Sequence, residues 1–339
     1  MTAWYRRALL ALAVATSTQA LAAHALDPRL PQVTYEAGAL PAAGFPASAN
    51  CSAAVDDFQV HAYNDNFFIL RESGCVNAEK PFLYLLFGQD RAILFDTGAG
   101  DDTDAATGRV PDVVGAVDKV IQQWLVKHQR GSLPLVVTHL HSHSDHTWGD
   151  FQFINRPDTT FVEPADVAVL QRFFGIGNWP EQVGSYDLGG RVLDIIPIPG
   201  HDATSIAVYD RQTAVLLTGD SVYPGRIYVN DPDPQVTHAS LQRLVDFTRT
   251  RLVAHVLGSH IEQRAPYADN PRGQNYTPQE VGLALGRAHL LEMLEATRLR
   301  TGEGDASRIP QKAYRDFTIC GVYPACAPIN VPAQVKAAP

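Results

Sequence analysis

Six consecutive residues, His141-Ser-His143-Ser-Asp145-His146, carry four side chains able to bind a metal. Neutral imidazole nitrogen and carboxylate oxygen suit zinc and also accept iron or manganese. His141 and His143 alternate along the chain and can point to one side, while Asp145 and His146 follow on the next turn. A single ion rarely takes four neighbouring side chains with good geometry, so this density points to two metals sharing one loop. Three further donors come later: His201 in Ile198-Pro-Gly-His201, Asp220 in Leu216-Leu-Thr-Gly-Asp220, and His260 in Val256-Leu-Gly-Ser-His260. A small or turn-forming residue precedes each of them, letting the backbone bend and approach closely. A lone His or Asp at the end of a strand is ordinarily a capping or loop residue. Seven donors in an ordered series, five His and two Asp, are another matter.

Each donor follows an apolar run that predicts a strand: 133–137 before the first cluster, 192–198 before His201, 213–217 before Asp220 and a shorter run before His260. Open α/β sheets place their active sites where such strands end. Alternating patterns around turn residues predict three hairpins, over 58–71, 81–95 and 205–217. Helical spacing marks 113–128, with Val114, Val117, Val120, Ile121, Trp124 and Leu125 near one face, and also 165–174 and 239–250. Thr277-Pro278-Gln279-Glu280 reads as a helix start, opening a long helix to about Arg300 with Val281, Leu285, Ala288, Leu291 and Leu294 as its apolar stripe. Residues 261–277 are polar and irregular and begin beside a metal donor. They are either a roof over the site or a plain surface connection. Strands and helices alternating in this way suggest helices packed outside sheets.

These residues resemble the metallo-β-lactamase superfamily. Its H-x-H-x-D-H motif matches His141, His143, Asp145 and His146, its later motifs match His201, Asp220 and His260, and its early Asp motif matches Asp96-Thr97-Gly98. The resemblance runs from about Phe58 to His260 and implies an α/β fold, a four-layer αβ/βα sandwich with the metals at one edge. It implies that His141, His143 and His201 hold one metal, that Asp145, His146 and His260 hold the second, and that Asp220 bridges them. Reading the motif from the extra His139 would put His143 where Asp is required, so His139 is expected to support the site or the structure. Asp96, on a separate loop, is expected to orient a ligand His.

The same resemblance narrows the chemistry. The superfamily's β-lactamases lack the bridging carboxylate and usually carry Cys or another residue there, whereas Asp220 places this chain with glyoxalase II-like thioesterases, lactonases and phosphodiesterases. Two zinc ions, with iron or manganese as alternatives, would share a hydroxide, since coordination lowers the pKa of water from near 16 to about 7. Asp145 is expected also to orient that hydroxide. Tyr223, three residues after Asp220, resembles a Tyr of the lactonases and is either a donor to a substrate oxygen or a packed aromatic; Arg226 and Tyr228 are weaker candidates for substrate contact. The expected function is an exported dinuclear zinc hydrolase of an ester-like bond: a lactone, a thioester or another carboxylic ester. The alternatives are a periplasmic β-lactam hydrolase and an iron-dependent oxygenase of thiol persulfides with one metal.

The N-terminus addresses location. Arg6-Arg7 precede an apolar stretch over 8–15 and two small-residue sites ending at Ala22 and Ala25, the pattern of a signal peptide over 1–25. The paired arginines allow a twin-arginine route, although the surrounding residues do not match it well. The expected division is a signal peptide at 1–25, an extended arm at 26–57, a hydrolase domain at 58–320 and a tail at 321–339. Four cysteines, Cys51, Cys75, Cys320 and Cys326, lie outside the donor series, and an even number in an exported chain favours disulfides. Three pairings are possible; proximity favours Cys51–Cys75 and Cys320–Cys326. Removing 1–25 leaves 314 of the 339 residues and takes away two arginines and no acid, moving the net charge from −9 to −11. That acidic balance, with no basic run, argues for a small-molecule substrate and against nucleic acid. No later segment approaches the roughly 18 apolar residues of a membrane span, so none is expected in the mature chain. Oligomeric state is open.

Overall fold

The computed structural model describes residues 35–45, 51, 55–100, 110–230, 233–298, 311–321 and 326. The expected signal peptide lies outside the described residues, as do most of the arm and all but Gly321 and Cys326 of the tail.

In chain order, β1 (Phe58–Asn64), β2 (Phe67–Glu72), β3 (Phe82–Phe87) and β4 (Ala92–Phe95) form an antiparallel meander, followed by α1 (Val113–Lys127). β5 (Leu135–Thr138) adds in parallel to β4, the short α2 (Ser144–Thr147) leads into a 3-10 turn at Trp148–Gln152, and β6 (Thr159–Phe161) completes the first six-stranded sheet. After α3 (Val167–Phe174), β7 (Gly184–Asp187), β8 (Val192–Pro197), β9 (Ile206–Asp210) and β10 (Val215–Gly219) build most of the second sheet. β11 (Arg226–Tyr228) and α4 (Pro234–Thr248) come next, and β12 (His255–Gly258) then pairs in parallel with β10. The remaining elements are β13 (Gln263–Ala265), β14 (Ala268–Asp269), β15 (Ala284–Leu285), α5 (Arg287–Arg298), β16 (Lys312–Ala313) and β17 (Thr318–Cys320).

Strand alternation decides the layering. Phe82, Tyr84 and Leu86 of β3 pack between the sheets with Ile195, Val208 and Leu217, while Leu83, Leu85 and Phe87 of the same strand pack under α1 against Val117, Ile121 and Trp124. In the second sheet Ile196, Tyr209 and Leu216 turn the other way, onto Leu241 and Leu244 of α4 and Leu290 and Met293 of α5. The order is therefore helix, sheet, sheet, helices: the four-layer αβ/βα sandwich. A strand buried on both faces reads as a continuous apolar run, which is why β3, FLYLLF, carries no polar residue. Part of the arm joins this core, since Phe45 packs among the inter-sheet residues and Glu36 N–H donates to Gln212 O at 2.7 Å.

All three hairpins form, and the predicted strands lie within about two residues of their expected limits. Helices α1, α3 and α4 also form, each opened by an aspartate whose carboxylate accepts a first-turn N–H: Asp112, Asp166 and Asp233. α4 starts at Pro234, earlier than its apolar spacing indicates. The long helix from Thr277 is the clear departure. Residues 277–286 are not helical, and Ala284–Leu285 instead pair antiparallel with β12. Two forces outweigh the local signal. The backbone groups at the edge of β12 need partners, and the buried Arg71 guanidinium needs a charge, which Glu280 supplies at 2.8 Å. The helix begins after Gly286 and buries Leu290, Met293, Ala296 and Thr297, whereas Leu291 of the expected stripe is 43% exposed.

Candidate metal centre

β8 and β10 both run antiparallel to β9, and β12 runs parallel to β10, so all three end at one edge of the second sheet. Those ends carry His201, Asp220 and His260, and they meet the ends of β4 and β5, which carry Asp96 and the His141–His146 loop. Gly200 and Gly219 make two of these turns possible. Their φ values are +142° and +52°, and a Cβ on Gly200 would come within 2.4 Å of Thr237 Oγ1.

The seven donors converge in two groups, His141 with His143 and His201, and Asp145 with His146, Asp220 and His260. His143 Nδ1 lies 3.1 Å from His141 Nε2 and 3.0 Å from His201 Nε2. In the second group His260 Nε2 lies 3.3 Å from His146 Nε2, and Asp145 Oδ2 lies 3.4 Å from both. Asp220 stands between the groups. Its Oδ2 is 3.7 Å from His201 Nε2 and 3.4 Å from His260 Nε2, and its Oδ1 is 3.5 Å from His146 Nε2.

Tautomers follow from the outer contacts. His146 Nδ1 faces Asp96 Oδ2 at 3.0 Å, His260 Nδ1 faces the Glu79 carbonyl at 3.0 Å, and His201 Nδ1 faces the Tyr228 carbonyl at 3.3 Å. These acceptors hold a proton on Nδ1 and leave the Nε2 lone pair directed into the cluster. Two ring lone pairs 3.3 Å apart repel unless a cation lies between them. Asp220 Oδ1 is buried and accepts no hydrogen bond, a further atom that a cation would satisfy.

The electrostatics agree. Burial would raise the Asp220 and Asp145 carboxyls, but the His260 and His146 rings override it and hold both well below the usual carboxylate range. Burial, with His146 beside it, pushes His141 well below the usual imidazole value, and burial lowers His201. For His146 and His260 burial is outweighed by the charges of Asp145 and Asp220, which raise both well above the usual range. A field that favours added positive charge at these rings also favours a metal ion. The residues present thus fit two divalent ions.

Asp96 does more than face His146. Its Oδ1 accepts from Leu140 N–H at 2.8 Å, which fixes the start of the His141 loop. His139 lies outside the cluster, buried, with Nε2 2.8 Å from Asp150 Oδ1. Thr97 Oγ1 donates to the same Asp150 oxygen at 2.7 Å. Tyr223 lines the cleft and its ring stands against His260, but its hydroxyl donates to the Arg226 carbonyl and lies 3.1 Å from Glu262 Oε2. Arg226 is itself held by Glu262 and by the Asn270 carbonyl. Tyr228 contributes its carbonyl to His201 and its ring to the Arg272 guanidinium at 5.6 Å.

The donors open into a cleft of about 1120 Å³. Residues 270–277 contribute Asn270, Pro271, Arg272, Gly273, Gln274 and Thr277 to its lining, which settles the open reading of 261–277 in favour of a wall of the site. Sequence reasoning passed over Glu79, Lys80, Trp148 and Glu262 in the cleft lining, and Asp202, whose Oδ2 lies 3.9 Å from His143 Nε2. Asp202 and Glu262 each lie within two residues of a donor, a usable signal, whereas the Glu79 and Tyr228 carbonyls leave none, because every residue has one.

A sequence profile of the metallo-beta-lactamase superfamily matches residues 79–255, more than half of the chain. The chain belongs to the metallo-beta-lactamase superfamily. It is a hydrolase. The matched span ends just before His260, which the geometry places with the other donors. The chain is 24% identical to Acyl-coenzyme A thioesterase MBLAC2 of Homo sapiens over 229 residues, 58% of this chain and 78% of that protein. The Gallus gallus protein of the same name is 25% identical over 243 residues, 61% of this chain and 82% of that one. Among solved structures, the metallo-beta-lactamase from Pontibacter korlensis aligns over 71% of this chain and 99% of its own, with 17% identity and a TM-score of 0.43.

Proposed function

We propose that this protein is an exported, dinuclear metal-dependent hydrolase of an ester-like bond, with thioesters first, then lactones and other carboxylic esters. The observation that carries the reading is the position of Asp220 between two groups of imidazoles whose lone pairs converge. His141, His143 and His201 would hold one ion, Asp145, His146 and His260 the other, and Asp220 would bridge them. Two such ions, zinc by preference, supply a water acidified toward neutral pH and a Lewis acid for the carbonyl oxygen. Asp96 and the Glu79 and Tyr228 carbonyls keep the rings aimed. The Asp145 side chain is 26% exposed, against 8% for Asp220, and so is the carboxylate placed to accept a hydrogen bond from the attacking water.

Thioesters lead because the curated relatives are named as acyl-coenzyme A thioesterases and because the cleft exceeds the usual small-molecule range of about 300–1,000 Å³, leaving room for a large leaving group. The Asp220 carboxylate supports esters over β-lactams. Export is supported by the N-terminal pattern and by two disulfides, Cys51–Cys75 and Cys320–Cys326, the pairings that sequence proximity favours. The test is a panel of acyl thioesters, lactones and β-lactams offered to the zinc-loaded protein. The expected result is hydrolysis of a thioester or lactone, abolished by chelation and restored by metal. Hydrolysis of none of them, or hydrolysis indifferent to chelation, would contradict the proposal.

A further inference from the structure

Phe151 and Ile154 are 57% and 58% exposed, while Phe153 between them is fully buried and anchors the segment in the core. Both follow His146 closely. In the 3-10 turn Trp148–Gln152, side chains three apart eclipse one another. Trp148 and Phe151 accordingly share a face, their rings meeting edge-on at 5.4 Å. Ile154 comes at the same interval, its N–H bonded to the Asp150 carbonyl at 3.2 Å. Trp148 also lines the metal cleft and packs so closely on Gly100 that a Cβ there would lie 2.1 Å from the indole. Trp148 in the cleft wall thus touches the exposed Phe151 directly, and the exposed Ile154 follows three residues further along the chain. Exposed apolar groups joined to a binding cleft ordinarily mark a contact surface. Between 226 and 274 the cleft lining sets the charged or polar Arg226, Glu262, Asn270 and Arg272 among Tyr228, Ile261 and Pro271.

We propose that Trp148, Phe151 and Ile154 form a track for the hydrocarbon chain of the substrate's acyl group, directing its carbonyl to the metal donors. The inference rests on the ester-hydrolase reading above. Continuity with the cleft selects this occupant, because Trp148 lines the same cleft as Asp145 and its ring touches the exposed Phe151.

The test uses Phe151→Ser/Ile154→Ser, two exposed positions whose replacement leaves the core intact, and calorimetric binding of linear carboxylates from acetate to dodecanoate by the zinc-loaded protein. Full burial of a methylene is worth about fourfold in affinity and an open track about half that free energy, so wild type should gain about twofold per methylene. The variant should lose that gain and bind acetate unchanged. Equal chain-length dependence in both proteins would overturn the proposal. So would a variant that changes sedimentation but not chain-length dependence, which would mark the face as a contact between copies. Running a thioester series in parallel separates the two ideas. Chain-length-dependent binding without thioester cleavage contradicts the hydrolase reading alone; cleavage without chain-length dependence contradicts the track alone.

Discussion

Asp220 stands between both groups of imidazoles, and a neutral isostere tests whether they need its charge. Asp220→Asn keeps the volume and removes the charge, so metal content should fall and turnover should drop by at least about a hundredfold. Full activity in the variant would contradict the bridging role. Asp96→Asn turns an amide N–H toward His146 Nδ1, where an acceptor is required; metal affinity should weaken about 10–100-fold, read by competition with a chromophoric chelator. Tyr223→Phe addresses the aromatic that sequence left open between substrate donor and packing. With its hydroxyl bonded to Arg226, the expectation is a loss of about 1 kcal/mol in stability and less than about tenfold in kcat. A hundredfold kcat loss at unchanged stability would mark it as a substrate donor. The seven donors were legible in the sequence because ligand chemistry admits few side-chain types. Their orienting carbonyls were not, because a backbone oxygen has no residue preference.

At the scale of elements, the turn after β2 links a disulfide to the second metal group. Cys75 is bonded to Cys51, and four residues on the Glu79 carbonyl holds His260 Nδ1. Lys80 Nζ donates to the Gln274 carbonyl and Asn275 Nδ2 to the Gly74 carbonyl, each at 2.6 Å, pinning the cleft wall to the same turn. Cys51→Ala/Cys75→Ala should therefore weaken the metal held with His260 and leave the His141–His143–His201 group near wild type, resolved as two phases in a metal titration. Equal weakening of both would show only general destabilisation. Gly200→Ala would strain a positive φ and meet Thr237, costing about 2 kcal/mol or more in thermal unfolding. Strands and hairpins were readable here because burial on one or both faces writes a period into the chain. The segment 277–286 was not, since its conformation is set by β12 and Arg71, both distant in sequence.

Across the whole molecule, two sheets present their strand ends at one edge, and segments far apart in sequence close around it. Lys80 reports on that closure. Burial pushes its ammonium down to about 8, with Glu280 opposing and Arg71 reinforcing the shift. A lowered lysine pKa means the folded state binds the proton less well than the unfolded chain, so the penalty is present at neutral pH. It is relieved as pH rises from about 8 to about 10.5. Relative to Lys80→Met, wild type should gain up to about 3 kcal/mol of stability across that window; a constant difference would contradict the burial of a charged amine. The four-layer architecture could be read from the motif series and the alternating strands together, whereas the inward packing of Phe45 could not, because residues 35–45 carry no period. Metal stoichiometry distinguishes a two-metal from a one-metal centre, measured by elemental analysis and native mass spectrometry on protein purified without added metal. A dinuclear centre requires about two ions per chain, zinc foremost, and about one in Asp145→Ala/His260→Ala. One iron per chain in the wild type would contradict it and favour an oxygenase, and no bound metal would remove its chemistry altogether.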